Sequence, residues 1–341
     1  MSSNNNDLAF VGLVNLASES LGAKALSTND DFFAGMENLV KDKAPVFLPD
    51  EFTDRGKWMD GWESRRKRVD GHDWCIVRLG AEGVIRAIDI NTSHFTGNQP
   101  PFASVEATNS TDADIDGATW TEIVAQGPCR PGSMNLFSVN DSASYTHLRL
   151  NLYPDGGVAR LRVYGEVTPN WDGGSGTTGE EVDLVALAHG GLALACSDAF
   201  FGPMNNLIAP GRAVNMGGGW ETRRRMGRPF DSRPDWIMLR LGAAGTVSGV
   251  EVDTNHFKGN FPDRCALDGV NLPGARITDL LASDAWETFL PEQKLRAHEQ
   301  HMFRDELSAS GPYTHVRLRI FPDGGISRLR ILGHRIAGKR S

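Results

Sequence analysis

The residues best equipped for chemistry sit in the stretch DTNHFKGN, which gathers Asp253, Asn255, His256, Lys258 and Asn260. An imidazole titrates near neutral pH and passes protons both ways, a carboxylate can take one from water, and a carboxamide both donates and accepts hydrogen bonds. A second cluster, GWETRRR, sets Glu221 beside Arg223, Arg224 and Arg225. A guanidinium fork binds a carboxylate bidentately, and a neighbouring glutamate can accept a proton or orient a urea-like N–H. The two clusters together suit a small, anionic, nitrogen-rich ligand. His315, on the same strand face as Tyr313 and Arg317, is a further proton-transfer candidate. Each has a structural reading too: a turn histidine packed on Phe257, a solvated charge run, a sheet histidine satisfied by hydrogen bonds. Trp62 and Trp220, beside the arginine clusters, suit either a pocket wall or the core.

Both clusters occur twice. GWESRRKR places Glu63 with Arg65, Arg66 and Arg68, and NTSHFTGN keeps His94 and Asn98 while Asn91, Ser93 and Thr96 replace the aspartate, asparagine and lysine. The repetition extends to whole segments. Residues 73 to 98 match 235 to 260 at 12 of 26 positions, and 145 to 165 match 313 to 333 at 13 of 21, without gaps. Such a repeat predicts two homologous halves. Residues 168 to 181, TPNWDGGSGTTGEE, carry no apolar periodicity and read as a linker. The halves are therefore 8–167 and 182–333.

Period-two alternation dominates within each half, which predicts an all-β fold. In YTHVRLRIF, Thr314, Val316, Leu318 and Ile320 share one face. PDGG then reads as a hairpin turn into ISRLRIL, and DWIMLRLG and TVSGVEVDT read as two strands joined by a turn. ITDLLASDAWETFL reads as a short helix, or as a strand and loop. A half-buried antiparallel sheet needs a second sheet to cover it, so each half is expected to be a two-sheet sandwich of jelly-roll type. Asp155 and Asp323 in the PDGG turns have backbone work to do and are not read as catalytic.

Several chemistries are excluded or unsupported. A net charge of −8 gives no overall pull toward nucleic acid or membrane. The start of the chain lacks signal-peptide character and no stretch approaches eighteen apolar residues, so a soluble, reducing, cytoplasmic setting is expected. Cys75, Cys129, Cys196 and Cys265 are too far apart for a CxxC site and are expected to be free, buried thiols. No P-loop, GxSxG, HExxH or dinucleotide fingerprint is present. No cofactor is indicated with certainty, and dependence on a divalent metal stays open: dispersed ligands can still converge, but HEQH at 298 to 301 reads as solvated surface.

DTNHFKGN inside the doubled framework, with GWETRRR and YTH followed by FPDGG, resembles the allantoicase (allantoate amidinohydrolase) family across essentially the whole chain. The resemblance implies two jelly-roll, galactose-binding-like β-sandwiches in tandem, homo-oligomeric assembly, and hydrolysis of allantoate to ureidoglycolate and urea in purine breakdown. It directs the catalytic expectation to His256 as acid, with His315 behind it, and to Glu221 or Asp253 as base. Arg223 or Arg224 would clamp the substrate carboxylate, Asn255 and Asn260 would hold the ureido groups, and Lys258 would offset charge. His94 and Arg65 are the binding candidates of the first half. Two other classes compete: a metal-dependent lyase acting on ureidoglycolate, and a carbohydrate-binding sandwich pair without catalysis.

Overall fold

The computed structural model describes residues 13–169, 171, 179–226 and 233–336. They form two compact units, Leu13–Thr168 and a second from Pro169 onward. Each is a β-sandwich built the same way. Among the described residues, no helix is long and apolar enough to cross a membrane.

In the first unit the organising element is one long strand, Asp73–Asn91. Its first part pairs antiparallel with Lys24–Thr28 and with Ser144–Tyr153, which in turn pairs with Phe102–Thr108 and that strand with Thr121–Pro128. Its second part pairs with Arg160–Val167 and Leu136–Ser138. The strand thus crosses from one layer of the sandwich to the other. Close contacts require glycines around the crossing: a Cβ on Gly80 would fall 2.8 Å from Leu21, and one on Gly83 would fall 2.6 Å from the Glu166 carbonyl. Asp235–Asp253 plays the same part in the second unit, between Leu192–Cys196 and Tyr313–Phe321 in one layer and Arg328–Arg335 and Gln300–Phe303 in the other.

Two expectations are corrected here. The segments read as two strands joined by a turn are one continuous strand in each unit. The strands flanking PDGG do not pair with each other; each pairs with a different half of the long strand, and PDGG carries the chain between layers. The segment 277 to 290 holds both readings in sequence, a short helix Ile277–Ala282 and then the start of the strand Glu287–Lys294.

Alternation places Val316, Leu318 and Ile320 in the core and leaves Arg317, Arg319 and Phe321 half-exposed, but Tyr313 and His315 are buried as well. Trp62 and Trp220 are fully buried and donate their indole N–H to the carbonyls of Asp30 and Asp198 at 2.8 and 2.9 Å. They are core residues rather than pocket walls. Cys75, Cys129 and Cys265 are free and buried, while Cys196 is half-buried.

One buried carboxyl sets a pH dependence. Asp89 is fully buried on the second part of the long strand, and burial pushes its carboxyl up to about 7 despite the Asn135 N–H it accepts at 2.9 Å. A raised folded-state value stabilises below the unfolded value near 4 and loses that stabilisation as pH climbs through 7. Asp89→Asn should therefore gain stability relative to wild type as pH rises from 5 to 8, by an amount on the order of a few kcal/mol at most. Denaturant midpoints measured at both pH values check this, and an unchanged difference would refute it.

Candidate active site

At one end of the second sandwich three segments are fastened into a frame. Trp220–Glu221 pairs with Gly325–Ile326. The Thr222 N–H donates to the Gly324 carbonyl at 3.1 Å, and the Gly324 N–H returns a bond to Thr222 Oγ1 at 3.1 Å. The Gly325 N–H reaches the Asn260 carbonyl at 2.9 Å, and the Arg225 N–H reaches Asp323 Oδ2 at 2.9 Å. Beneath them Phe257 is fully buried, and a Cβ on Gly325 would stand 1.9 Å from its ring, so only glycine fits. The aspartate and glycines of PDGG are thus explained by backbone geometry.

The frame walls a cavity of about 440 Å³ lined by Phe201, Glu221, Arg224, Asn260, Asp263 and Asp323, among others. Asn260 Nδ2 donates to Glu221 Oε1 at 2.5 Å. Asp263 is occupied by Lys294 and by Arg264, which hold its carboxyl below the usual range. Arg224 is exposed and has no carboxylate partner among the described residues. A guanidinium with no carboxylate partner among the described residues, beside a carboxyl and carboxamide already oriented on each other, has the chemistry to receive an external carboxylate that carries N–H and C=O groups.

The model of the allantoicase repeat matches this chain twice, at residues 14–168 and 182–336. The chain belongs to the allantoicase family. Its similarity to a probable allantoicase 1 of Burkholderia mallei is 49% identity over 94% of both chains, and to a probable allantoicase of Photobacterium profundum 48% over 96% of this chain and 98% of the other. The crystal structure of allantoicase from Saccharomyces cerevisiae superposes with a TM-score of 0.81 at 32% identity, covering 98% of this chain and 99% of that one.

Within this allantoicase fold, Glu221, Arg224 and Asn260 meet at the cavity, and the other expected residues lie elsewhere. Asp253 is wholly buried, accepts the Asn255 N–H at 2.8 Å and pairs with Arg212 at 3.1 Å. Asn255 donates to the Ala213 carbonyl at 3.3 Å. His256 takes a left-handed backbone with φ of 71°, and its Nε2 also meets that carbonyl, at 2.9 Å. These three residues hold the strap around 212–213 against the turn. Lys258 is exposed on the turn and does not line the cavity. Arg223 donates its backbone N–H to Asp198 at 2.7 Å and lays its guanidinium on Phe200, 4.3 Å from the ring centre. His315 lies six residues from Phe321 along its strand, roughly 20 Å from the cavity end. Burial and Arg240 depress its imidazole to about 4. In the first repeat His94 contacts the Pro45 carbonyl at 3.2 Å, and Arg65 is paired with Asp30 at 2.7 Å.

Sequence reasoning passed over three residues here, Phe201, Asp263 and Arg212. Phe201 carried a signal, since DAFFG at 198–202 repeats DDFFA at 30–34 of the first half. Asp263 and Arg212 have no matching residue in the first half and gave none. The HEQH segment read as solvated surface is exposed at His298, which accepts the His256 N–H at 2.8 Å, but His301 is buried and accepts the Arg296 N–H at 2.9 Å. Among the described residues no group of three or more His, Cys, Asp or Glu side chains is arranged to hold a metal ion.

The direction of the His256 ring makes a decision possible. His256→Ala should cost about 1 kcal/mol of stability through the lost Ala213 contact, with turnover falling no more than about tenfold. Thermal unfolding beside steady-state kinetics checks it. A loss of turnover beyond a hundredfold with unchanged unfolding would return the imidazole to a proton-transfer role.

Proposed function

We propose that this chain hydrolyses allantoate to ureidoglycolate and urea, using the cavity of the second repeat. Family membership over nearly the full length supports the reaction, and Arg224, with no carboxylate partner among the described residues and beside the Glu221–Asn260 pair, is the observation that carries the site. Cytoplasmic location and assembly into homo-oligomers belong to the same reading.

Allantoate bears a carboxylate and two ureido groups on one central carbon. Arg224 takes the carboxylate. Asn260, whose amide already donates to Glu221, offers its carbonyl oxygen to a ureido N–H. The Glu221 carboxyl then gives its proton to the departing ureido nitrogen as the central C–N bond breaks. The lone pair of the remaining ureido nitrogen supports the electron-poor carbon. Water adds to that carbon, and the Glu221 carboxylate recovers a proton from it. One group therefore serves as acid and then base, and the proton balance closes over the cycle. Lys258, outside the cavity on the turn, adds positive charge along the approach of an anionic substrate.

Purified protein should release urea from allantoate and not from allantoin or ureidoglycolate, with a chelated sample reporting any need for metal. No release by folded, metal-resupplied protein would overturn the assignment, and release from ureidoglycolate would favour the lyase. Glu221→Gln should lower kcat by about 100-fold or more with KM little changed. Arg224→Ala should chiefly raise KM, by about 100-fold, because a charged hydrogen bond to the substrate is lost. A variant with both constants unchanged removes that residue from the site.

A further inference from the structure

The first repeat preserves the frame of the second almost bond for bond. Trp62–Glu63 pairs with Gly157–Val158. The Ser64 N–H reaches the Gly156 carbonyl at 3.3 Å, and the Gly156 N–H reaches Ser64 Oγ at 3.2 Å. The Gly157 N–H meets the Asn98 carbonyl at 2.7 Å, and the Lys67 N–H meets Asp155 Oδ2 at 2.7 Å. Phe95 lies buried below, where a Cβ on Gly157 would stand 2.1 Å from its ring.

The chemical groups on this frame are kept as well. Asn98 Nδ2 donates to Glu63 Oε1 at 2.7 Å, as Asn260 does to Glu221. Arg66, the counterpart of Arg224, is exposed and has no carboxylate partner among the described residues. Packing and backbone hydrogen bonding explain the glycines, the buried phenylalanine and the aspartate, but they give an unpaired guanidinium nothing to do. Neighbouring polar positions have meanwhile changed: Pro101 stands where Asp263 does, and Gln99 where Phe261 does. Gln99 Oε1 is buried without a hydrogen-bond partner among the described residues. A buried acceptor of this kind calls for an N–H donor, which a ureido group supplies twice over.

The first repeat also has its own cover. Between Lys43 and Gly61 it carries a longer loop than the second repeat has between the matching Gly211 and Gly219. That loop forms the small hairpin Phe52–Thr53 with Gly56–Lys57, and a Cβ on Gly56 would lie 3.8 Å from the ring of Phe33, the counterpart of the cavity residue Phe201. Arg55 fixes the hairpin further by donating to the Phe32 carbonyl at 3.1 Å. Burial raises the Glu63 carboxyl above its ordinary value.

We propose that Glu63, Asn98, Gln99 and Arg66 form a second binding site, for a small carboxylate bearing a ureido group, in the first repeat. The proposal rests on the reading of Glu221, Asn260 and Arg224 as the substrate receptor of the second repeat. N-carbamoylglycine is a suitable probe: it carries a carboxylate and one ureido group, but no second nitrogen on the central carbon to assist expulsion of urea.

Equilibrium dialysis of the full chain against labelled N-carbamoylglycine should give two sites per chain. Arg66→Ala and Asn98→Ala should each leave one, and Arg224→Ala should leave the other. Arg66→Lys keeps the charge without the planar fork and should weaken the first-repeat site by about tenfold. Thermal unfolding controls for folding, since Arg66 touches no carboxylate that its loss would strand. A single site in wild type that vanishes in Arg224→Ala would overturn the proposal, as would two sites indifferent to Arg66, or no binding at all. The dialysis needs no turnover, so absence of urea release from allantoate would count against the activity alone.

Discussion

A buried arginine at the end of each sandwich is the contact on which the rest depends. Arg328 is almost fully buried and donates to the carbonyls of Asn206, Gly211 and Gly218 at 2.7 to 3.1 Å. It binds the strap leading to Trp220 and Glu221 onto the strand behind Gly325. Burial is costly enough to lower its guanidinium to about 10, and carbonyl dipoles offset part of that cost. Arg160 does the same in the first repeat through Lys43 and Asp60, there with a carboxylate at 2.8 Å. In the second repeat glycine stands where Asp60 does, and a buried negative charge appears instead at Asp253, paired with Arg212. Each repeat thus supplies a carboxylate near its central guanidinium, from different positions. Phe257 and the tight glycines then set the height at which Glu221, Asn260 and Arg224 face one another.

This division of labour explains what the sequence could and could not disclose. Duplication and the period-two strands were readable because they are written in local apolar spacing and in self-similarity; most of the segment read as a linker, 170 and 172–178, lies outside the described residues. The partnering of strands was not: PDGG promises a change of direction, and nothing local says that its two flanks pair with opposite halves of a third strand. Residue chemistry likewise says nothing of direction. His256 and Asp253 carry the reactive groups most suited to proton transfer, yet one turns to the Ala213 carbonyl and the other is sealed beside Arg212. Arg223 and Arg224 are indistinguishable in sequence, and only the occupation of Arg223 by Asp198 and Phe200 separates them. His315 looked close to the site because a strand face has no visible ends.

The proposed functional picture is of an oriented carboxyl, a guanidinium with no carboxylate partner among the described residues and a carboxamide, all on backbone held by hydrogen bonds. Such a receptor matches a small ligand with one negative charge and several amide-like edges. In the proposed reaction the acid and base steps fall to a single glutamate, since His256 and His315 point elsewhere. The mixture of Phe201 and Phe261 with polar groups lets the cavity lower the local dielectric when filled, which strengthens every charged contact made inside it.

The long strand that belongs to both layers has a mechanical consequence. Asp73–Asn91 and Asp235–Asp253 each contribute hydrogen bonds to both layers, so neither layer can peel away while its strand stays folded. Each sandwich should therefore open as a single cooperative unit, with backbone amides on both sides of the crossing exchanging with solvent at one common free energy. The rim that holds the cavity is anchored to that same strand at Asp253, and its rigidity is inherited from the whole sandwich rather than from the loops that form it.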